Sequence, residues 1–313
     1  MKIDTDWHIH SRNSCECHQI GSSGCDLQAA IAAKGIADFG LSDHLHSRYN
    51  LPDIAAARLE FLACDPPPHF HFGIEVTCMR RWELDQIDAG NFDPSDPPIY
   101  GRGQDGPLSE PAIALTGADA DALGIEYAVG GVHWARGIEP DPAAIVDFFH
   151  SQMLFLAAHP LIDIVAHPWW WHDHFKRPDG TYVVAPWVDG FAGIPHSCHD
   201  EFAAVMAEHG TAAEINPGWI LARPFGPNGF EPYLDYLRML RERGVSFSVG
   251  SDCHSRYGGF SDESQQLLEQ LGIDAGDLFR LPPRRGSMPG CAAESLLDAL
   301  GLQPDDLWCN RPA

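Results

Sequence analysis

Short apolar runs recur along the chain, and most pass at once into polar residues and then into a stretch of helical character. The first run ends in Asp6-Trp7-His8-Ile9-His10. Ile36 to Leu41 passes into Ser42-Asp43-His44-Leu45-His46, and Phe70 to Val76 carries Glu75 near its end. Ile125 to Val132 precedes His133, and Leu161 to Ala166 precedes His167-Pro168. Ala212 to Ile215 contains Glu214, and Val245 to Gly250 leads into Ser251-Asp252-Cys253-His254. Short apolar runs bounded by turn signals read as buried strands. Helices are expected from a cap at Asp26 to Lys34, and from Pro52-Asp53 to the stop at Pro66-Pro67-Pro68. Others run from Pro142 to about Ala158, from Asp200 to His209 and from Glu231 to Arg243. Two more cover Asp262–Leu271 and Cys291–Leu300.

Strand, polar residue and helix alternate seven times, which implies a parallel sheet. With polar residues at the C-terminal end of each strand, the α/β form that fits is a distorted seven-stranded (β/α)7 barrel. Its working site gathers at the C-terminal face of the strands. Two stretches break the rhythm, 80–123 and 172–198. They read as insertions over that face, because a long aperiodic loop in a compact domain is usually a lid or a binding loop. The segment 261–313 reads as a helical C-terminal extension of one domain spanning 1–313.

Composition narrows the field. Asp and Glu number 44 against 20 Lys and Arg, a formal charge of −24. There is no basic stripe, so extended nucleic acid is disfavoured as a partner. The nine cysteines form no C-x-x-C pair and do not read as a disulfide framework, which points to a reducing compartment. Met1-Lys2-Ile3-Asp4 opens no apolar segment, and no run is long enough to span a bilayer, so a cytoplasmic protein without membrane contact is expected.

The 17 histidines matter for where they fall. Side chains at i and i+2 of a strand point the same way, so His8 and His10 can meet one metal ion. The strand-end set comprises Asp6, His8, His10, Asp43, His44, Glu75, His133, His167, Glu214, Asp252 and His254. Imidazole and carboxylate donors without a cysteine cluster suit catalytic Zn, Mn or Fe. Cys15-Glu16-Cys17-His18 has no second half that would complete a zinc knuckle, and His18 is favoured as an extra ligand folding back beside His10. His69 and His71 lie at the far end of their strand and read as structural. His172 and His174 form a second H-x-H, read as exposed or facing substrate.

These pieces, in this order, resemble the PHP domain, the polymerase and histidinol phosphatase family of metal-dependent phosphoesterases. The matching segments are Asp6-Trp7-His8-Ile9-His10-Ser11, Ser42-Asp43-His44, Gly73-Ile74-Glu75, Gly131-Val132-His133, Ala166-His167-Pro168, Glu214-Ile215-Asn216 and Ser251-Asp252-Cys253-His254. The resemblance implies two or three divalent ions. His8, His10, Glu75 and Asp252 would hold the first. Glu75 would bridge to a second, completed by His133 and His167. His44, His254 and His18 would hold a third, although His18 stands further past His10 than the family pattern expects. Asp6 and Asp43 would support the ligands by accepting hydrogen bonds from their imidazoles.

The function implied is a phosphomonoesterase of histidinol-phosphatase type, acting on a small phosphorylated metabolite through a hydroxide bridging the metals. Asp252 and Glu75 would carry the catalysis. Arg136 and Arg256 are candidate phosphate contacts, and His172 and His196 candidate acids for the leaving group. Trp169-Trp170-Trp171 can stack on a substrate or anchor an insertion. A phosphodiesterase or nuclease and an amidohydrolase-like carbon-centre hydrolase are the alternatives. A non-catalytic regulatory module fits less well, since no strand-end position is lost.

Overall fold

Seven parallel strands form a nearly closed barrel in the computed structural model, which describes residues 2–91, 106–134, 138, 141–170, 190–223, 228–281 and 293–307. In order around the sheet they are β1 (Thr5–Asp6), β2 (Asp38–Leu41), β4 (Phe70–Thr77), β7 (Tyr127–Gly131), β8 (Ile164–Val165), β9 (Ala212–Ile215) and β10 (Phe247–Val249). A two-residue strand, β3 (His44–Leu45), pairs with β4 beside this path. The seam joins the first strand to the last. Trp7 N donates to Val249 O at 2.9 Å, Asp252 N to His8 O at 2.8 Å and His10 N to Cys253 O at 3.0 Å. Sequence order therefore equals spatial order around the barrel.

The longest strand shows how sequence sets the layers. On β4, Phe70, Phe72, Ile74 and Val76 belong to the large core between strands and helices. By the two-residue period of a strand, His71, Gly73, Glu75 and Thr77 occupy its other face, toward the barrel interior. The interior is plugged by Trp7, Tyr127, Val129, Ile164, Ala166 and Ala212. The Tyr127 hydroxyl donates to the carbonyls of Trp7 and Leu41, and a side chain at Gly40 or Gly73 would collide with its ring.

Helices α1 (Gly24–Ala33), α2 (Leu51–Ala63), α5 (Pro142–Ala158), α6 (His196–His209), α8 (Phe230–Glu242) and α9 (Asp262–Leu271) cover the outside. Three boundaries differ from expectation. The cap of α1 is Ser23, whose side chain accepts from Asp26 N, so Asp26 is a first-turn residue. Helix α6 begins at His196 rather than Asp200, and β4 runs on to Thr77.

The stretch 80–123 was expected to lack periodic structure, but it holds regular elements at both ends. Strand β5 (Met79–Arg80) pairs antiparallel with β6 (Pro111–Ala112). Helix α3 (Arg81–Asp88) buries Leu84 and Ile87, and α4 (Gly117–Leu123) starts from a capping box between Thr116 and Asp119. Each is too short for its period to stand out in sequence. Residues 92–105, and 172–189 of the second insertion, lie outside the described residues.

The expectation of no disulfide is also overturned. Cys25 at the start of α1 and Cys64 at the C-cap of α2 are bonded, which removes the cysteine argument for a reducing compartment. Their separation of 39 residues hid the pairing from any local motif. No helix among the described residues is long and apolar enough to cross a membrane.

Candidate metal centre

Glu75 stands at the middle of the C-terminal rim, fully buried, and its two oxygens face different imidazoles. Oε2 lies 3.0 Å from His8 Nε2, 2.8 Å from His44 Nδ1 and 3.5 Å from His10 Nε2. Oε1 lies 2.9 Å from His133 Nε2 and 3.6 Å from His167 Nε2. Asp252 Oδ1 closes the first group, 3.4 Å from His8 Nε2, 3.1 Å from His10 Nε2 and 3.5 Å from His254 Nδ1. The rim thus gathers His8, His10, His44, Glu75, His133, His167, Asp252 and His254 from six strand ends.

Charge alternates through this cluster. Burial pushes the Glu75 carboxyl up, but His44, His8 and His133 outweigh it and hold it well below the usual range. Asp252 is lowered in the same way by His8, His10 and His254 against its burial. Burial opposes the charged form of His44, yet Glu75 and Glu16 raise it to about 9. Burial and the neighbouring His254 and His44 drive His10 down, and burial takes His133 to about 3.

The donor set fits divalent cations. Several triads place one donor atom from each residue within 4.8 Å of the others: His8, His10 and Asp252; His8, Glu75 and His167; His44, Glu75 and His133; His10, His44 and His254. Buried atoms aimed inward, His8 Nε2, His44 Nδ1 and Glu75 Oε2, make no well-formed hydrogen bond among the described residues. Buried polar atoms of that kind are expensive unless something charged satisfies them. Backbone strain marks the same place. His167 and Asp252 both have positive φ, 26° and 51°, which a non-glycine residue adopts at a cost.

The supporting residues are partly those expected. Glu214 Oε1 bonds His8 Nδ1 at 2.6 Å, and its Oε2 accepts from His167 N at 2.7 Å. Asp6 and Asp43 were expected to accept from ligand imidazoles, and they do not. Asp6 accepts from the backbone of His8 and Ser251 and from the Tyr257 hydroxyl, and burial raises it to about 7. Asp43 accepts from both the N–H and the hydroxyl of Ser11, and burial raises it to about 6. Each therefore fixes the chain that carries ligands rather than a ligand ring.

His18 is a correction of another kind. Its Nε2 lies 3.3 Å from Asn13 O and 3.9 Å from Asp53 Oδ1, outside the cluster. Glu16 takes the place expected for it, with Oε2 3.6 Å from His44 Nε2 and 3.4 Å from His254 Nε2. The loop is pinned by Asp43 through Ser11, and by Glu60 through Arg12 and Asn13. Glu16 faces the cluster, and His18 faces Asn13 and Asp53. His46, which lies outside the strand-end set, also stands here. It is buried beside His44 and Trp134, and Glu16, His44 and His46 form a further triad.

Glu16, Asp252 and His254 keep 29%, 20% and 31% of their side chains exposed, whereas His8, His10 and Glu75 are closed off, so the cluster opens at those three. Arg256 is exposed just past His254. His196 is exposed at the start of α6, its ring 6.1 Å from that of His199. Trp169 is buried against His150 and His199, while the Trp170 ring lies 4.6 Å from that of His167. Arg136, Trp171, His172 and His174 lie outside the described residues.

A (β/α)7 barrel with histidines and carboxylates gathered at the C-terminal rim defines the class. Among solved structures, the chain is similar to a histidinol phosphate phosphatase from Lactococcus lactis, crystallised with zinc, L-histidinol and phosphate. The match covers 87% of this chain and 95% of that one, at a TM-score of 0.54 and 14% identity. At that identity it is the fold that is shared, and the resemblance to the PHP family stands at that level. Two other structures overlap more loosely. One is a Xaa-Pro dipeptidase with bound methionine (11% identity, 96% of this chain, 64% of that one, TM-score 0.37). The other is an ochratoxinase from A. niger (12% identity, 86% of this chain, 67% of that one, TM-score 0.33). No family model matches the chain, and no curated protein matches it.

Proposed function

We propose that the chain is a metal-dependent hydrolase of the PHP type, a phosphomonoesterase acting on a small phosphorylated metabolite. The observation that carries this reading is the position of Glu75, whose two oxygens face two separate sets of imidazoles. His8, His10, Glu75 and Asp252 would hold one cation, and Glu75, His133 and His167 a second. Glu16, His44 and His254 would hold a third. Bound there, divalent cations would activate water at neutral pH and neutralise charge on a phosphoryl group.

The chain's own residues do the rest. Glu214 orients His8 and tethers His167. Asp252, partly exposed and flanked by three imidazoles, would accept a proton from the attacking water. Arg256, and Arg136 on the strength of its place in the sequence, are the proposed phosphate contacts. The likeness to a histidinol phosphate phosphatase is what favours the phosphatase reading, and the acidic composition, at net charge −24, supports a small substrate over extended nucleic acid.

The test is a panel of phosphomonoesters and phosphodiesters, with the protein loaded in turn with Zn, Mn or Fe and its bound metal counted. Phosphate release from monoesters with two or three metals bound is expected. His8→Ala and Glu75→Ala should each lose both metal and turnover. Diester cleavage alone would move the assignment to a phosphodiesterase, and metal binding without any phosphoester cleavage would refute the phosphoesterase reading.

A further inference from the structure

Thr77 stands two residues beyond Glu75, on the same inner face of β4. Its hydroxyl sits between two imidazoles, 2.8 Å from His133 Nδ1 and 2.6 Å from His46 Nδ1. All three residues are buried. Beyond them, His133 Nε2 meets Glu75 Oε1 at 2.9 Å, and His46 Nε2 faces Glu16 Oε1 at 3.8 Å. The row thus runs from Glu75, at the centre of the site, to Glu16, at its mouth.

A hydroxyl has one proton to give, and a neutral imidazole has one N–H and one bare nitrogen. Thr77 therefore donates to one ring and accepts from the other. If His133 offers a bare Nε2 to a cation, its proton is on Nδ1 and is donated to Thr77. Thr77 then donates to His46 Nδ1, and the proton of His46 must lie on Nε2, facing Glu16. In the reverse arrangement, His46 Nε2 is bare and His133 Nε2 carries a proton, which closes that nitrogen to a metal. Both rings donating to Thr77 would leave the hydroxyl proton without a partner among the described residues. His46 Nε2 is buried and makes no hydrogen bond to them as it stands, so a donor role toward Glu16 would satisfy it.

We propose that Thr77 and His46 are positioning residues that link His133 to Glu16, so that a cation held by His133 sets His46 as an N–H donor to Glu16. His46 is then a support for the mouth of the site and not a ligand, although it lies within reach of Glu16 and His44. The two ends are coupled: filling the position at His133 strengthens cation binding by Glu16, His44 and His254. This rests on the metal centre proposed above and is independent of the substrate.

The experiment uses the full chain with 15N-labelled histidine. Zinc is titrated while bound metal is counted and the ring nitrogens of His46 are followed by NMR. In the zinc-loaded protein, His46 should show a protonated Nε2 and a bare Nδ1. Thr77→Val, with an unchanged far-ultraviolet spectrum, should weaken the last-filling site roughly tenfold or more, and Thr77→Ser should restore it. A bare Nε2 on His46 in the zinc-loaded wild type would overturn the proposal, even if Thr77→Val did not fold. So would unaltered zinc binding in a folded Thr77→Val. Coupled zinc binding in a protein that cleaves no phosphoester would refute the proposed function and leave this inference standing.

Discussion

Glu214 shows how much one side chain controls at this rim. One oxygen holds the His8 ring and the other holds the backbone of His167, so a single carboxylate sets two candidate ligands. Outer partners of this kind fix the tautomer and aim of a ligand. Glu214→Ala should lower metal affinity roughly 10–100-fold while leaving the barrel folded, as chelator competition and circular dichroism would report. Gly131 acts by what it lacks. A Cβ there would stand 2.9 Å from Glu75 Oε1 and 2.6 Å from His133 Cε1, so Gly131→Ala should displace both and reduce bound metal, measured by metal counting. The candidate ligands were legible because each short apolar run hands over at once to them: Glu75 lies within β4, and His8, His10 and His133 lie just past the ends of β1 and β7. The loop after His10 has no period. His18 is the ligand type the loop's composition suggests, but Glu16 is the residue that faces the cluster, because what aims this loop is the grip of Asp43 and Glu60 from elsewhere in the chain. Asp6 and Asp43 were legible as supports but not in their partners, since those are backbone N–H groups and the hydroxyls of Ser11 and Tyr257, none of which carries a ligand signal in a sequence.

Strand β4 carries most of the design at the level of elements. Its outer face is Phe70, Phe72, Ile74 and Val76, and its inner face reads His71, Gly73, Glu75, Thr77 from floor to rim. Those four supply an ion pair at the bottom, room for Tyr127, the central carboxylate and the hydroxyl beside His133. Thr77 could have been found from the two-residue period alone, but a threonine carries no metal-ligand signal. Seven helices were legible in rough extent, while α3, α4 and a five-residue helix at Pro217–Leu221 were too short to declare themselves. The tie between α1 and α2 was not legible at all. Closing a loop of 39 residues, the Cys25–Cys64 bond should stabilise the fold by about 4 kcal/mol in the chain-entropy picture. Thermal melts with and without reductant should therefore separate, and those of Cys25→Ser should not.

For the whole molecule, the floor of the barrel predicts a pH response distinct from that of the site. Burial pushes His71 down, but hydrogen bonds to Asp38 and Glu126 outweigh it and raise it above its ordinary 6.5. His69 and Arg280 also approach Asp38. A raised histidine stabilises most below its unfolded value, and that contribution fades as pH rises through the folded one. The stability advantage of wild type over His71→Gln in urea should hence be full in mild acid and shrink as pH rises past the ordinary histidine value of 6.5. The seam of the barrel adds a constraint in time. His10 and Asp252, which meet at 3.1 Å, are 242 residues apart along the chain. A ribosome adding about 5–20 residues per second needs roughly 10–50 seconds to pass from one to the other. Through that interval the nascent chain presents its first pair of imidazoles with their last carboxylate still unmade, so the finished centre can be loaded only after β10 has emerged and closed the ring.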